Sequence, residues 1–248
     1  MKFTELLSKT KEKTLNALFP KEIKCIFCGR DIPEFQTKPY CDDCAKEEYF
    51  NVGNRCIYCD MRIPEGNIVC DFCQTKKKSF EKTFCPLLYS KRVRNTILKL
   101  KSDNARYLAA PLAKLIAERI AESKIKIDII VPVPVHDKTR RRRGYNQTEL
   151  LGDELAKLLQ AEMQTDIITK DTMTDNQKEL PYRKRLKNVA DCFNIRDKQA
   201  VKDKNVLILD DIMTTGSTIN AIAKLIKPHA YHVYAAAIAR DNLDNDID

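Results

Sequence analysis

The sequence predicts an α/β fold, in which helices cover both faces of a parallel sheet and a small cysteine-rich module comes first. Apolar runs such as Ile129–Val131 and Val206–Leu209 alternate with amphipathic segments of helical period. Eight of the ten cysteines lie within Cys25–Cys73, ahead of this alternation. The 248 residues are enough for one such domain and a small additional module.

The composition indicates a sizeable core under a basic surface. Apolar residues make up 43% of the chain, and the formal net charge is +9. This charge favours an anionic partner, either a phosphorylated small molecule or nucleic acid, although a basic surface that serves only solubility has the same composition. The longest apolar runs are too short to span a membrane, and the first residues lack a secretory apolar stretch. We therefore expect a cytoplasmic protein without membrane insertion, whose cysteines are reduced.

Three parts are expected along the chain. Apolar residues recur at roughly helical spacing near the start, which predicts an N-terminal helix over residues 1–23. The cysteine-rich module is expected over residues 24–80, because the polar, basic stretch Gln74–Lys82 is typical of a boundary. The α/β domain is expected over residues 81–248.

The elements of the domain follow from their patterns. Ile125–Val131 turns wholly apolar at Ile129, as a strand entering a buried sheet does, and the prolines at 132 and 134 end it because they cannot donate to a ladder. Asp171–Ala190 is long and polar, with no clear pattern. The other expected elements are a strand at Phe84–Tyr89, helices at Lys91–Lys101 and Ala105–Ser123, a basic loop, a helix at Gln147–Gln160, strands at Asp166–Lys170, Phe193–Ile195 and Val206–Leu209, a helix at Gly216–Ile226, and a strand at Val233–Ala239.

Four regularly spaced CxxC pairs indicate a double zinc ribbon. Each pair offers two thiolates to one ion, and two pairs complete a closed tetrahedral site, so we expect two structural Zn²⁺ ions. The repeat of Cys-Ile-Phe-Cys as Cys-Ile-Tyr-Cys favours duplicated closed sites over iron–sulfur ligation, and redox use would need one exposed pair of low pKa. Interleaved pairing of the four turns stays open as an alternative. Cys85 and Cys192 are expected to be ordinary buried cysteines. In sequence order the expected ligand sets are Cys25, Cys28, Cys41 and Cys44, then Cys56, Cys59, Cys70 and Cys73.

The strand Val206–Leu209 leads into two acids and a hydroxyl-rich turn that opens a helix. A helix N-terminus offers free N–H groups to a phosphate, and Gly216 permits close backbone approach. Paired carboxylates can bind two vicinal ribose hydroxyls, either by accepting hydrogen bonds from them or by sharing a Mg²⁺ ion with their oxygens. The alternative is an ordinary Ser/Thr-capped helix, which needs only one hydroxyl. No GxxxxGK motif occurs, so this is not a Walker loop. The candidate residues are Asp210, Asp211, Ile212, Met213, Thr214, Thr215, Gly216, Ser217 and Thr218.

Two basic segments are further candidates for contacts with pyrophosphate or nucleic acid. Lys138–Gln147 carries four consecutive arginines and Tyr145, a possible stacking ring. Leu180–Asn188 lies between two predicted strands. A solvated basic loop and a helix with a basic face are the respective alternatives. The individual candidates are Val135, His136, Arg143, Arg183 and Arg185.

Residues 206–218 resemble the phosphoribosylpyrophosphate (PRPP) motif of type I phosphoribosyltransferases, which is a hydrophobic strand, two acids, two variable residues and Thr-Thr-Gly-Ser-Thr. The resemblance implies that Asp210 and Asp211 are catalytic and hold the ribose hydroxyls, that Thr214–Thr218 cradles the 5-phosphate, and that PRPP binds with Mg²⁺. It also places a flexible catalytic loop at Leu180–Asn188.

The chain resembles the ComF family of competence proteins over roughly residues 24–240. The resemblance rests on the order of five features, which are the double zinc ribbon, Val-Pro-Val-Pro, Arg-Arg-Arg-Gly-Tyr-Asn-Gln, Gln177 with Arg185-Leu186-Lys187-Asn188, and the PRPP motif. That resemblance implies natural transformation, with single-stranded DNA and a helicase of the same operon as partners. Nine residues, Arg240–Asp248, follow the last predicted strand, so we expect the acceptor-binding hood of ordinary phosphoribosyltransferases to come from the zinc module or to be absent. The alternatives are a working transferase that moves ribose 5-phosphate from PRPP to an unknown acceptor, and a PRPP-responsive regulator.

Overall fold

The computed structural model describes residues 24–33, 37–102, 105–170 and 192–241, without the side chains of residues 137 and 138. The N-terminal helix predicted over residues 1–23 and the segment Leu180–Asn188 lie outside the described residues. The chain divides into two compact units, Met1–Glu47 and Glu48–Asp248. In the part that the structure describes, no helix is both long and apolar enough to cross a membrane.

The elements alternate between helix and strand as the sequence predicts. The helices are α1 (Asp42–Ala45), α2 (Asp71–Thr75), α3 (Lys91–Ser102), α4 (Ala109–Ala121), α5 (Asp137–Arg143), α6 (Gln147–Leu159) and α7 (Ser217–Ile226), with a 3₁₀ turn at Arg106–Leu108. The strands are β1 (Thr83–Phe84), β2 (Leu87–Leu88), β3 (Ile129–Pro132), β4 (Glu162–Met163), β5 (Ile168–Lys170), β6 (Phe193–Ile195), β7 (Asn205–Met213) and β8 (His232–Arg240).

The central sheet of the second unit is parallel throughout its described strands. Its order is β1-β8-β7-β3-β4, and β2 also pairs with β8. Helices cover both faces of the sheet. Alternate side chains of a strand point to opposite faces, so neighbouring residues of β7 meet different helices. Ile208 joins a buried cluster with Ile222 of α7, whereas the next residue, Leu209, lies close to Gly152 of α6. The predicted α/β class is therefore confirmed.

Strand β7 is longer than the sequence predicts. It continues past Leu209 through both acids to Met213, since β8 is equally long and pairs with it up to Arg240. Small partners, Ala237 opposite Asp210 and Ala239 opposite Ile212, line this extension. The acids therefore lie within the sheet and not in a loop after it.

Three other predictions are corrected. The expected basic loop after β3 is largely helix α5, because a run of arginines lacks the apolar period that reveals a helix but still has good helix propensity. Strands β5 and β6 form a separate two-stranded antiparallel sheet, with Ile168 opposite Ile195, and take no part in the parallel sheet. The strand expected over Phe84–Tyr89 is two short strands, interrupted at Cys85–Pro86.

Candidate functional site

The acid pair, Asp210 and Asp211, lies near the carboxyl end of β7, where open α/β sheets bind their ligands. Asp211 is buried, and its Oδ2 accepts a hydrogen bond of 2.6 Å from Nε2 of Gln147. The same oxygen lies 2.9 Å from Nζ of Lys101. Two side chains from different helices, the end of α3 and the start of α6, therefore fix the orientation of the Asp211 carboxylate.

Asp210 has a different environment from its neighbour. Its Oδ1 accepts a hydrogen bond of 2.8 Å from the Asp211 backbone N–H. Burial and the nearby Asp211 carboxylate raise the pKa of Asp210 to about 7, against the opposing effects of that backbone N–H and of Lys101. Near neutral pH, any ligand that donates hydrogen bonds or positive charge to the acid pair therefore stabilises its ionised form. Carboxylate oxygens are also the ligands that Mg²⁺ prefers in proteins, so the donor set fits that ion.

The phosphate loop, Thr214–Thr218, links β7 to helix α7. Gly216 precedes the helix with φ +69°, a conformation that favours glycine. A Cβ at this position would lie 2.7 Å from Cε of the buried Met213. Thr215 Oγ1 and Ser217 Oγ lie 2.6 Å apart, and the Ser217 N–H donates to Thr215 Oγ1. The loop therefore presents hydroxyl groups and a helix N-terminus, the elements of a phosphate site.

Arg240, the last residue of β8, supports the phosphate loop from behind. Its Nη1 donates to the carbonyl oxygens of Met213 at 2.8 Å and Thr214 at 2.5 Å, and also to that of Asp241. Its side chain is fully buried, and Nη2 lies 3.8 Å from Sδ of Met61 in the second cysteine ribbon. Arg240 therefore ties the point where β7 enters the loop to the end of β8.

The segment after β3 reaches the acid pair through a chain of polar contacts. Arg143 Nη1 donates to Gln147 Oε1 at 3.0 Å, and Gln147 in turn contacts Asp211. Tyr145 is buried, its hydroxyl donates to Leu100 O at 2.6 Å, and Arg106 lies over its ring. Tyr145 therefore does not present a stacking surface for a nucleobase, contrary to the expectation from sequence.

The structure brings some of the predicted site residues together and not others. Val135 and His136 are half-buried after β3, and Arg143 lies one side chain away from the acid pair. Arg183 and Arg185 lie outside the described residues. Sequence analysis gave no role to Lys101 or Arg240 and noted Gln147 only within a motif. The one available signal was that Gln147 begins a helix next to an arginine-rich segment.

The eight ribbon cysteines form two groups of four in sequence order. Within each group the sulfur atoms all lie within 4.8 Å of one another. Zinc–sulfur bonds of about 2.3 Å in a tetrahedron place sulfurs roughly 3.8 Å apart. The Sγ separations of 3.7 Å for Cys28–Cys41 and 3.6 Å for Cys59–Cys70 fit that geometry, and the interleaved pairing is excluded. Both groups are therefore suited to a closed zinc site.

The two ribbons share a backbone design but differ in burial. The first cysteine of each donates its N–H to a carbonyl five residues on, from Cys25 to Arg30 at 2.7 Å and from Cys56 to Met61 at 2.8 Å. All four cysteines of the second group are buried, in the same cluster as Ile208, whereas two of the first group are half-exposed. Cys85 and Cys192 are both buried, as expected.

Residues 103–244 match the family of the phosphoribosyl transferase domain. The chain is 27% identical over 209 residues to competence protein F of Haemophilus influenzae, covering 82% of this chain and 83% of that protein. It is 26% identical over 176 residues to the DNA utilization protein YhgH of Escherichia coli K12, covering 69% of this chain and 77% of YhgH. A crystal structure of adenine phosphoribosyltransferase aligns with a TM-score of 0.38 at 22% identity, over 60% of this chain and 76% of that one.

Proposed function

The chain belongs to the phosphoribosyl transferase domain family and, within it, to the ComF/YhgH group of competence proteins, and from this premise we propose that it binds PRPP and handles single-stranded DNA. The observation that carries the PRPP part is the buried Asp211 carboxylate, which lies 2.6 Å from Gln147 Nε2 and shortly before the phosphate loop in the chain. Asp210 and Asp211 would accept hydrogen bonds from the ribose hydroxyls, and the loop would hold the 5-phosphate.

The residues of this chain carry out binding and orientation. Lys101 and Gln147 hold Asp211 in one orientation, and Arg240 holds the loop, so little conformational entropy is lost when the sugar phosphate binds. Mg²⁺ bound together with PRPP would offset the negative charge of the pyrophosphate. Arg143, connected to the acid pair through Gln147, is the described arginine best placed to approach that group.

The DNA part of the proposal is supported by the family and by charge. Competence protein F and DNA utilization protein YhgH are among the curated relatives, and the chain carries a net charge of +9. Single-stranded DNA and a helicase of the same operon are the proposed macromolecular partners. If DNA binds directly, its affinity will fall steeply with salt.

A thermal unfolding experiment tests the PRPP site. At 100 times the dissociation constant a ligand stabilises the folded state by about 2.7 kcal/mol, so we expect Tm to rise by roughly 5 to 10 °C. The Asp211→Asn variant should lose this rise, and Asp153→Asn, an exposed carboxylate on α6, should keep it. An equal rise in both variants would remove Asp211 from the site.

The second candidate function is a working transferase. A cavity of about 460 Å³ next to Arg240 is lined by the second ribbon, including Met61, Ile63 and Phe72, and gives an acceptor room at this end of the sheet. In the reaction the bond from ribose C1 to the pyrophosphate oxygen breaks, a bond from C1 to the acceptor forms, and pyrophosphate leaves. Release of pyrophosphate from PRPP on adding candidate amines or bases would support this function. PRPP that binds but stays intact with every acceptor tested would favour a sensing role.

A further inference from the structure

Helix α3, whose last turn places Lys101 next to Asp211, has a strongly basic exposed side. Its sequence, KRVRNTILKLKS, contains five basic residues and no acidic one. Val93, Thr96, Ile97 and Leu100 are buried on one side of the helix, whereas Lys91, Arg94 and Lys99 are exposed. None of these three cations has an ion-pair partner among the described residues. Their charge is therefore open to an external anion.

Helix α5 carries a second set of unpaired cations. Arg140 forms an ion pair with Glu149 at 3.2 Å, but the exposed Arg141 and Arg142 form none among the residues that the structure describes. We call Lys91, Arg94, Lys99, Arg141 and Arg142 together the basic face.

Both helices end at the acid pair. The last turn of α3 brings Lys101 to Asp211, and Arg143 at the end of α5 reaches Asp211 through Gln147. The junction of α5 and α6 is also tied to the end of α3, because Tyr145 donates to Leu100 O. The two parts of the basic face therefore belong to helices that converge on the ribose-phosphate site.

An exposed aromatic ring accompanies these charges. Tyr107 follows α3 in the 3₁₀ turn, and 71% of its surface is accessible. Cations that track a phosphate backbone, combined with an aromatic ring that stacks on unpaired bases, are typical of single-strand binding. Helix α3 has 12 residues and spans roughly 18 Å, enough to contact several consecutive phosphates. A membrane surface is less well matched, since Leu98 is the single large apolar side chain exposed on α3.

We propose that the basic face binds single-stranded DNA, with Tyr107 stacked on a base, so that the strand passes over the acid pair. The choice of DNA as the polyanion rests on the proposed function, but the choice of surface does not. It follows that the first docking surface for the strand is α3 and α5, and not the zinc ribbons.

The experiment measures the affinity of a fluorescent oligothymidylate as a function of salt. Arg94→Glu/Lys99→Glu should weaken binding at least tenfold and reduce the slope of log K against log salt by roughly 1.4, at about 0.7 per lost phosphate contact. The control, Lys198→Glu/Lys202→Glu, makes the same change in net charge at exposed positions before β7 and should bind nearly as wild type. Tyr107→Ala should also weaken binding, and Tyr107→Phe should not.

The outcomes separate the surface from the function. If wild-type protein binds DNA, and Arg94→Glu/Lys99→Glu loses no more affinity than the control Lys198→Glu/Lys202→Glu, the proposed surface is wrong and DNA binding stands. If wild-type protein binds no DNA even at low salt, both are wrong. A further double variant, Arg141→Glu/Arg142→Glu, repeats the test on α5, and a ligand-free Tm close to that of the wild type shows that each variant is folded. Stronger binding to phosphatidylserine vesicles than to DNA, lost in the same variants, would assign the basic face to a membrane and overturn the proposal.

Discussion

The guanidinium of Arg240 lies 2.8 Å from the main-chain oxygen of Met213, and this contact joins the end of β8 to the start of the phosphate loop. Because Arg240 is fully buried, its removal takes a charged donor away from the carbonyl groups of Met213 and Thr214 and leaves Met213 O with the Asp241 N–H alone. We expect Arg240→Met to lower the free energy of unfolding by about 3 kcal/mol and to weaken PRPP binding. Urea unfolding and PRPP titration measure the two effects. The exposed Arg196→Lys serves as control, and an Arg240→Met protein of wild-type stability would refute the supporting role.

Gly216→Ala tests the conformation of the phosphate loop. The added Cβ meets Cε of Met213 at 2.7 Å, so the Met213 side chain must move, and φ +69° strains the backbone of any residue other than glycine. We expect a loss of about 1–3 kcal/mol in stability together with a loss of PRPP binding. Gly66→Ala is a matched control, since Gly66 has φ +86° with no atom within 4 Å of the new Cβ. It should cost stability through backbone strain alone and leave PRPP affinity unchanged.

Asp210 gives the folded protein a characteristic pH dependence. Its pKa is raised to about 7 by burial and by Asp211, so between about pH 4 and 7 the folded state holds a proton that the unfolded state has released. The free energy of unfolding therefore falls as pH rises through this range, by at most about 1.4 kcal/mol per pH unit from this group. Wild type should therefore lose stability relative to Asp210→Asn as the pH rises. Urea unfolding of both proteins from pH 5 to 8 measures this change. A difference that does not vary with pH would contradict the raised pKa.

Substituting a zinc ligand should have different effects on stability and PRPP binding in the two cysteine groups. We expect metal analysis to find two zinc ions per chain, because each group of four sulfurs matches one tetrahedral site. Cys59→Ser removes a buried ligand from the cluster that contains Ile208, and it should destabilise the α/β domain and abolish the PRPP-induced rise in Tm. Cys28→Ser, at a half-exposed ligand of the first group, should lose one zinc ion and keep that rise. The reverse pattern would contradict the assignment of the second ribbon to the main core.

Local pattern predicts the parts of the fold that depend on neighbours in sequence. The apolar run before Asp210, the CxxC turns and the glycine before α7 each act within a few residues, so their structure is visible in the sequence. Arg240 and Lys101 were missed because their partners, Met213 and Asp211, are 27 and 110 residues away and are brought near only by the register of β8 and the path of α3. Strands β5 and β6 look like members of the parallel sheet because a short apolar run carries no information on its direction.

The central claim is that Asp210, Asp211 and the phosphate loop bind PRPP, and calorimetric titration with PRPP and Mg²⁺ tests it most directly. We predict one site per chain for the wild type and for Asp153→Asn, and no detectable heat of binding for Asp210→Asn/Asp211→Asn. Binding by the double variant with wild-type affinity, or no binding by a folded, zinc-loaded wild type, would contradict the claim. In either case the basic face, and not the acid pair, would become the leading candidate for the functional surface.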